Sequence, residues 1–222
     1  MNKIRLAAVI VATAAAAICY AQPLSQQDIK ALLTKVRDRR ASAPHVQAEF
    51  REERIVHLMK RPIVSTGKVW FEPPNKFRRE VNGSSPSVTV CDGRQLWIYY
   101  PNFKSAEHYE LGKRSPLDAA IAAINTALNL ENVENSFNIS GEQNQDEYQL
   151  HLLPKSASMK RIFQTFDLSL DRELFVRKTE MAQPNGDRVI TTYTGQSRAV
   201  IPETTFEFKP PEGTEVSTPL GR

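Results

Sequence analysis

Apolar and polar positions along this 222-residue chain follow two periods, and the change of period separates two helices from a long series of strands. Near the N-terminus Ile29, Leu32, Leu33 and Val36 recur at i, i+3, i+4 and i+7, which puts all four on one helix face. Ser25 stands before them as an N-cap, and Asp28 three residues later completes a start resembling a capping box. A second helix is predicted to open at Ser115-Pro116, a cap followed by proline at the first helical position, and to run to about Leu130. Its apolar stripe is Leu117, Ala120, Ile121, Ile124 and Leu128.

Elsewhere the period is two. Val46, Ala48 and Phe50 alternate with Gln47, Glu49 and Arg51 on a first strand, and further strands are predicted over 63–71, 76–81, 87–91, 95–100, 148–153, 162–170, 175–181, 188–194 and 204–209. Turn residues divide them: Pro73-Pro74-Asn75, Asn82-Gly83, Asp92-Gly93-Arg94, Pro184-Asn185-Gly186-Asp187 and Pro210-Pro211. The 14 prolines fall at starts, turns and ends and not in strand centres, which supports these bounds. About ten or eleven antiparallel strands with two long helices predict a mainly β fold. Its form would be a strongly curved sheet or half-open barrel, with the helices across its mouth or against its concave side. No composition break or repeat divides the chain, so residues 22–222 are read as one domain.

The first 21 residues have the three parts of an export signal. Lys3 and Arg5 form a basic start, an apolar run follows over 6–18, and Cys19-Tyr20-Ala21 supplies small residues at the −3 and −1 positions of a cleavage site. The run is shorter than the ~20 residues a spanning helix needs. A lipid-modified cysteine would want a small residue at Ile18 and leucine at Ala16, so Cys19 is read as part of an ordinary cleavage site. The expected product is a soluble protein outside the cytoplasm.

Charge and cysteine content then narrow the function classes. The formal charge is +4, and loss of Lys3 and Arg5 lowers it to +2, too little to favour nucleic acid. Cys91 alone survives cleavage, so no internal disulfide can form, and it is read as a small buried residue on a strand. The histidines at 45, 57, 108 and 151 are not spaced to share a metal, and there is no H-E-x-x-H, C-x-x-C, G-x-S-x-G, P-loop or dinucleotide glycine pattern. Neither metal, cofactor nor catalytic residue is expected, and the chain is not read as an enzyme. Its distinctive feature is apolar surface: over 69–71 and 96–100 both alternating faces are apolar or aromatic. More apolar strand surface than two helices can cover points to a ligand-sized hydrophobic cavity.

Four stretches carry a family resemblance. Gly67-Lys68-Val69-Trp70-Phe71-Glu72-Pro73-Pro74-Asn75-Lys76-Phe77 is similar to a Gly-x-hydrophobic-Trp-x-x-x-Pro-x-x-Phe segment. Asp92-Gly93-Arg94-Gln95-Leu96-Trp97-Ile98-Tyr99-Tyr100-Pro101 resembles an Asp-Gly-x-x-Leu-Trp-x-Tyr-x-Pro hairpin. Leu152-Leu153-Pro154-Lys155 and Phe206-Glu207-Phe208-Lys209-Pro210-Pro211-Glu212-Gly213 supply later landmarks. In this order they resemble the LolA family of periplasmic carriers of outer-membrane lipoproteins. The resemblance implies a half-open β-barrel lidded by helices around an apolar pocket for lipoprotein acyl chains. It also implies a monomer that takes cargo from an inner-membrane ABC-type extractor and passes it to an outer-membrane acceptor. Leu33, Phe50, Val69, Phe71, Phe77, Leu96, Ile98, Ile121 and Ile124 are the expected pocket lining, with Arg78 and Arg79 at the mouth or lid, positioned to meet a headgroup. Pro73 stands where the family commonly has a lid-latching arginine. A carrier of another lipid or glycolipid, and a sensor or adaptor domain of the same fold, are the alternative readings.

Overall fold

The computed structural model describes residues 21–112, 130, 133–144 and 147–219. The protein is mostly β. Among the described residues, thirteen strands form one open sheet: β1 (Gln22–Pro23), β2 (Val46–Ile55), β3 (Ile63–Glu72), β4 (Lys76–Asn82), β5 (Ser87–Asp92), β6 (Gln95–Tyr100), β7 (Ser105–Glu110), β8 (Phe137–Gln143), β9 (Glu147–Pro154), β10 (Thr165–Asp171), β11 (Val176–Ala182), β12 (Arg188–Ser197) and β13 (Glu215–Ser217). Their order across the sheet is β1-β8-β9-β10-β11-β12-β2-β3-β4-β5-β6-β7-β13. Neighbours are antiparallel except β13, which pairs parallel with β7.

The long helix, α1 (Gln26–Ser42), starts as its sequence predicts. The Ser25 hydroxyl accepts from the Asp28 N–H at 3.2 Å, and the Asp28 carboxylate accepts from the Ser25 N–H at 3.1 Å, so two orphan donors of the first turn are satisfied. Ile29, Leu32, Leu33 and Val36 are all buried and pack on Phe137, Leu150, Leu152, Phe166, Leu168 and Leu170 of β8–β10. Burying side chains of this size stabilises by about 1.5–3 kcal/mol each, which is why an otherwise polar helix stays on the sheet. The predicted helix over 115–130 lies outside the described residues except for Leu130, which is fully buried in the same cluster.

Four strands escape the sequence pattern: β1 and β13 are only two and three residues long, and β7 and β8 each carry little apolar alternation, Ala106 being the one fully buried side chain of β7 and Gly141 interrupting β8. The strand expected over 162–170 begins at Thr165, since Ile162 and Phe163 belong to the preceding turn. The strand expected over 204–209 does not form. Glu203–Phe206 is a 3-10 turn, and the segment that follows crosses the sheet face over β4–β6 instead of adding to an edge. Proline brackets it at 202, 210 and 211, which disfavours a ladder, and Phe208 instead packs at a tilt against the Trp97 and Tyr99 rings.

Candidate ligand-binding face

Directly paired residues of an antiparallel ladder point to the same side, so the register assigns each side chain to a face. Phe50 pairs with Gly67, Val69 with Ala48 and Arg79, Phe71 with Phe77, Phe77 with Cys91, Cys91 with Leu96, and Thr89 with Ile98. Phe50, Val69, Phe71, Phe77, Leu96 and Ile98 therefore form one apolar band, on the side of the sheet that α1 covers further along. Phe50 and Leu96 are buried and the other four are half-buried. Leu33 is on this side too, but it is a packed core residue of α1 over β8–β10. Ile121 and Ile124 lie outside the described residues.

Gly67 allows the tightest approach within the band. A Cβ there would lie 1.9 Å from the Glu80 carbonyl oxygen and 2.6 Å from the Phe50 ring, so the strand pair and the ring close over a position that only glycine can occupy. Cys91 is fully buried, its thiol 3.1 Å from the Asn75 carbonyl oxygen, and burial pushes that thiol above its ordinary value.

Two hydrogen-bonded pairs place charge beside the apolar band. Arg79 donates to Glu52 at 2.6 Å while its guanidinium lies 4.4 Å above the Phe50 ring, and the Glu52 side chain is 16% exposed. On β7 the Tyr109 hydroxyl donates to Glu107 at 2.6 Å. Burial first, then this bond to a carboxylate, pushes the Tyr109 phenol up to about 12. These groups hold one another, and Arg79 sits within the helix-covered face as part of a pair.

Arg78 does not share that position. It faces the opposite side, paired in register with Trp70 and Val90. There it bonds Glu80 at 2.7 Å and the carbonyl oxygens of Thr205 and Glu207 at 3.2 and 3.5 Å. Alternation along β4 separates the two arginines, so Arg78 clamps the C-terminal segment 203–209, here called the strap, and is not a mouth residue of the apolar band. The strap also explains the second apolar face read over 96–100. Phe208 lies 5.8 Å from both Trp97 and Tyr99, His108 stacks on Trp97 at 4.2 Å, and Lys76 reaches Glu203 at 2.8 Å. Ile201 and Phe206, which lead into and belong to it, are themselves buried. The Trp97 and Tyr99 rings on this side are thus covered by the chain's own end and, among the described residues, supply no apolar cavity. The alternation of Phe206 and Phe208 between prolines was the available signal for this cover, and it reads equally well as a strand.

A groove of about 580 Å³ opens on the strap side of β8–β11. Its walls combine Pro23, Leu150 and Leu168 with Gln149, His151, Asp167, Ser169, Lys178 and Glu180, and an aliphatic chain there would leave those polar and charged groups unsatisfied. His151 is in contact with Asp167, yet among the described residues no three of the His, Cys, Asp and Glu side chains are placed to hold a metal. No described helix is long and apolar enough to cross a membrane.

The family profile described as outer membrane lipoprotein carrier protein LolA matches residues 41–209. The chain belongs to the LolA family. Among sequence relatives, the outer-membrane lipoprotein carrier protein of Serratia proteamaculans (strain 568) is 27% identical over 147 residues, covering 66% of this chain and 68% of the relative. That of Yersinia pestis bv. Antiqua (strain Angola) is 27% identical over 150 residues with the same coverage. Among solved structures, an uncharacterised conserved protein from Thermus thermophilus superposes with a TM-score of 0.50 at 13% identity, over 83% of this chain and 98% of that one, a likeness of fold. The matched span contains the whole apolar band from Phe50 to Ile98, the Gly67 close approach and the strap to Lys209. The LolA-family landmarks in this sequence thus have structural reasons: a glycine over which Phe50 packs, a hairpin whose two faces meet different cover, and an end segment that seals the outer one.

Proposed function

We propose that the protein is a periplasmic carrier that shields the acyl chains of lipoproteins during transfer from the inner to the outer membrane. The observation that carries this reading is the apolar band of Phe50, Val69, Phe71, Phe77, Leu96 and Ile98 on the helix side of a LolA-family sheet. Each methylene moved out of water is worth ~0.8 kcal/mol, so an acyl chain of ordinary length needs such a surface to cross an aqueous space. The half-exposed state of Val69, Phe71, Phe77 and Ile98 suits a carrier, which must release what it binds. The mature chain from residue 22, freed of its export signal, would take cargo from an ABC-type extractor and deliver it to an outer-membrane acceptor.

Mass spectrometry of the protein purified from its native periplasm tests the cargo. Triacylated lipoprotein on the carrier supports the proposal; a small lipid or glycolipid would replace it with a different carrier role, and a stoichiometric protein partner with an empty apolar band would replace it with an adaptor role. Phe77→Glu puts a charge in the middle of the band and should abolish cargo uptake while circular dichroism stays unchanged. Normal uptake by the folded variant would remove the band as the binding surface.

A further inference from the structure

We propose that one end of the sheet is a docking surface for an anionic lipid bilayer. The strands place the turns 56–62, 83–86, 101–104, 155–164 and 183–187 at the same end, with 210–214 beside them where β13 joins β7. Contacts tie several of these turns together. The His57 N–H donates to Asp187 at 2.8 Å, Asn102 donates to the Ser84 carbonyl at 3.4 Å, the Gln164 N–H donates to the Ala182 carbonyl at 2.7 Å, and the Glu215 N–H donates to the Lys104 carbonyl at 2.8 Å.

Exposed apolar side chains concentrate here. Of the nine large hydrophobic residues exposed among the described ones, eight lie in these turns or in strand residues near them, and Val200 is the exception. Leu58 is 90% exposed and Phe103 77%, each at the tip of its turn, with Met59, Ile63 and Ile162 beside them. Exposed apolar side chains gathered at one end, rimmed by polar residues, mark a surface that meets a protein or a membrane.

Charge at this end identifies what that is. The six turns carry Lys60, Arg61, Lys104, Lys155, Lys160 and Arg161 against Asp187 and Glu212. Asp187 is occupied by the His57 N–H and Asn185. Lys60 and Arg61 follow Leu58-Met59 directly, Lys104 follows Phe103, and Lys160-Arg161 precede Ile162, so each apolar tip has cations adjoining it. Among the described residues, Lys60, Arg61, Lys104, Lys160 and Arg161 form no ion pair. Among the described turn residues at the other end of the sheet the charges are more nearly balanced, Arg94, Arg172 and Arg198 against Glu173 and Glu203, and Arg198 is turned onto the Phe175 ring at 3.6 Å. Apolar residues that insert at the acyl boundary, ringed by lysine and arginine, match the chemistry of a bilayer surface bearing phosphate headgroups. A protein partner would need acidic and apolar surface in the same arrangement, whereas an anionic bilayer presents both everywhere. This surface is separate from the apolar band, so its role does not depend on what the band carries.

The test is co-sedimentation of the mature protein, residues 22–222, with vesicles of phosphatidylcholine alone or with about a third phosphatidylglycerol. Binding should require the anionic lipid and weaken as salt is raised. Lys60→Glu/Arg61→Glu should weaken it on the order of 20-fold or more, since each cation near an anionic surface contributes roughly a factor of five. Leu58→Ser/Met59→Ser should weaken it without changing its salt dependence, and Arg94→Glu, at the far end, should leave it unchanged. In Leu58→Trp, brominated acyl chains should quench the new indole. Absence of binding to anionic vesicles, equal binding to both compositions, or full binding by the folded Lys60→Glu/Arg61→Glu variant would each overturn the proposal. Phe77→Glu should still dock, which separates failure here from failure of the cargo reading.

Discussion

Replacing Gly67 by alanine adds one methyl group at the tightest point of the β2–β3–β4 face. The new Cβ would meet the Glu80 carbonyl oxygen at 1.9 Å and the Phe50 ring at 2.6 Å. The ring can tilt, although Phe50 is 3% exposed and carries the Arg79 guanidinium on its other contacts. The carbonyl belongs to a paired strand and moves only if the β3–β4 ladder opens locally. Overpacking of this kind costs about 3 kcal/mol, and alanine recovers about 0.5–1 kcal/mol over glycine through reduced backbone entropy in a strand. The net loss expected is about 2 kcal/mol, a fall in Tm of about 4–8 °C for a chain of this size. Urea unfolding followed by the fluorescence of Trp70 and Trp97 would measure it, with a shifted midpoint and an unchanged slope. Adding Phe50→Leu should restore about half of the loss, because it relieves the ring contact and leaves the carbonyl in place. Wild-type stability in Gly67→Ala would refute the close approach, and complete recovery in the double variant would show that the ring is the whole obstacle.

Arg79→Met strands the Glu52 carboxylate in a half-buried place and should cost about 2 kcal/mol, while adding Glu52→Gln should recover more than half; additive losses in that double-mutant cycle would deny the coupling. Because the folded Tyr109 phenol titrates higher than the unfolded one, its contribution to stability is complete below pH 10 and lost as pH rises toward about 12. Absorbance at 295 nm should show this late titration moving to lower pH in Glu107→Gln, and an unchanged curve would remove Glu107 as a cause. Ser25→Ala should cost about 1 kcal/mol at pH 7 by thermal melting. The Ser25 hydrogen bonds hold Asp28 below its ordinary value, so their support is present above the usual carboxylate range and lost as pH falls through the lowered one; the variant should lose less stability than wild type between pH 5 and pH 2.

Much of this fold is legible in the residues themselves. The α1 stripe, its Ser25–Asp28 cap and the Asp92-Gly93 hairpin are local features, settled by side-chain spacing and by the backbone freedom of glycine, whose φ at position 93 is +94°. Period-two alternation likewise marks nine of the longer strands and tells that Phe77 and Arg79 face one way and Arg78 the other. What alternation cannot tell is which way that is. Arg78 reaches the strap and Arg79 reaches Glu52 because β4 pairs with β3 and β5 in one register, and that register is fixed by residues distant in the chain. The 204–209 segment shows the same limit from the other side: its pattern suits a strand, but the exposed rings of Trp97 and Tyr99 are a partner that exists only after the sheet has formed. Spacing along a chain determines which side chains travel together, and only tertiary pairing decides what they meet.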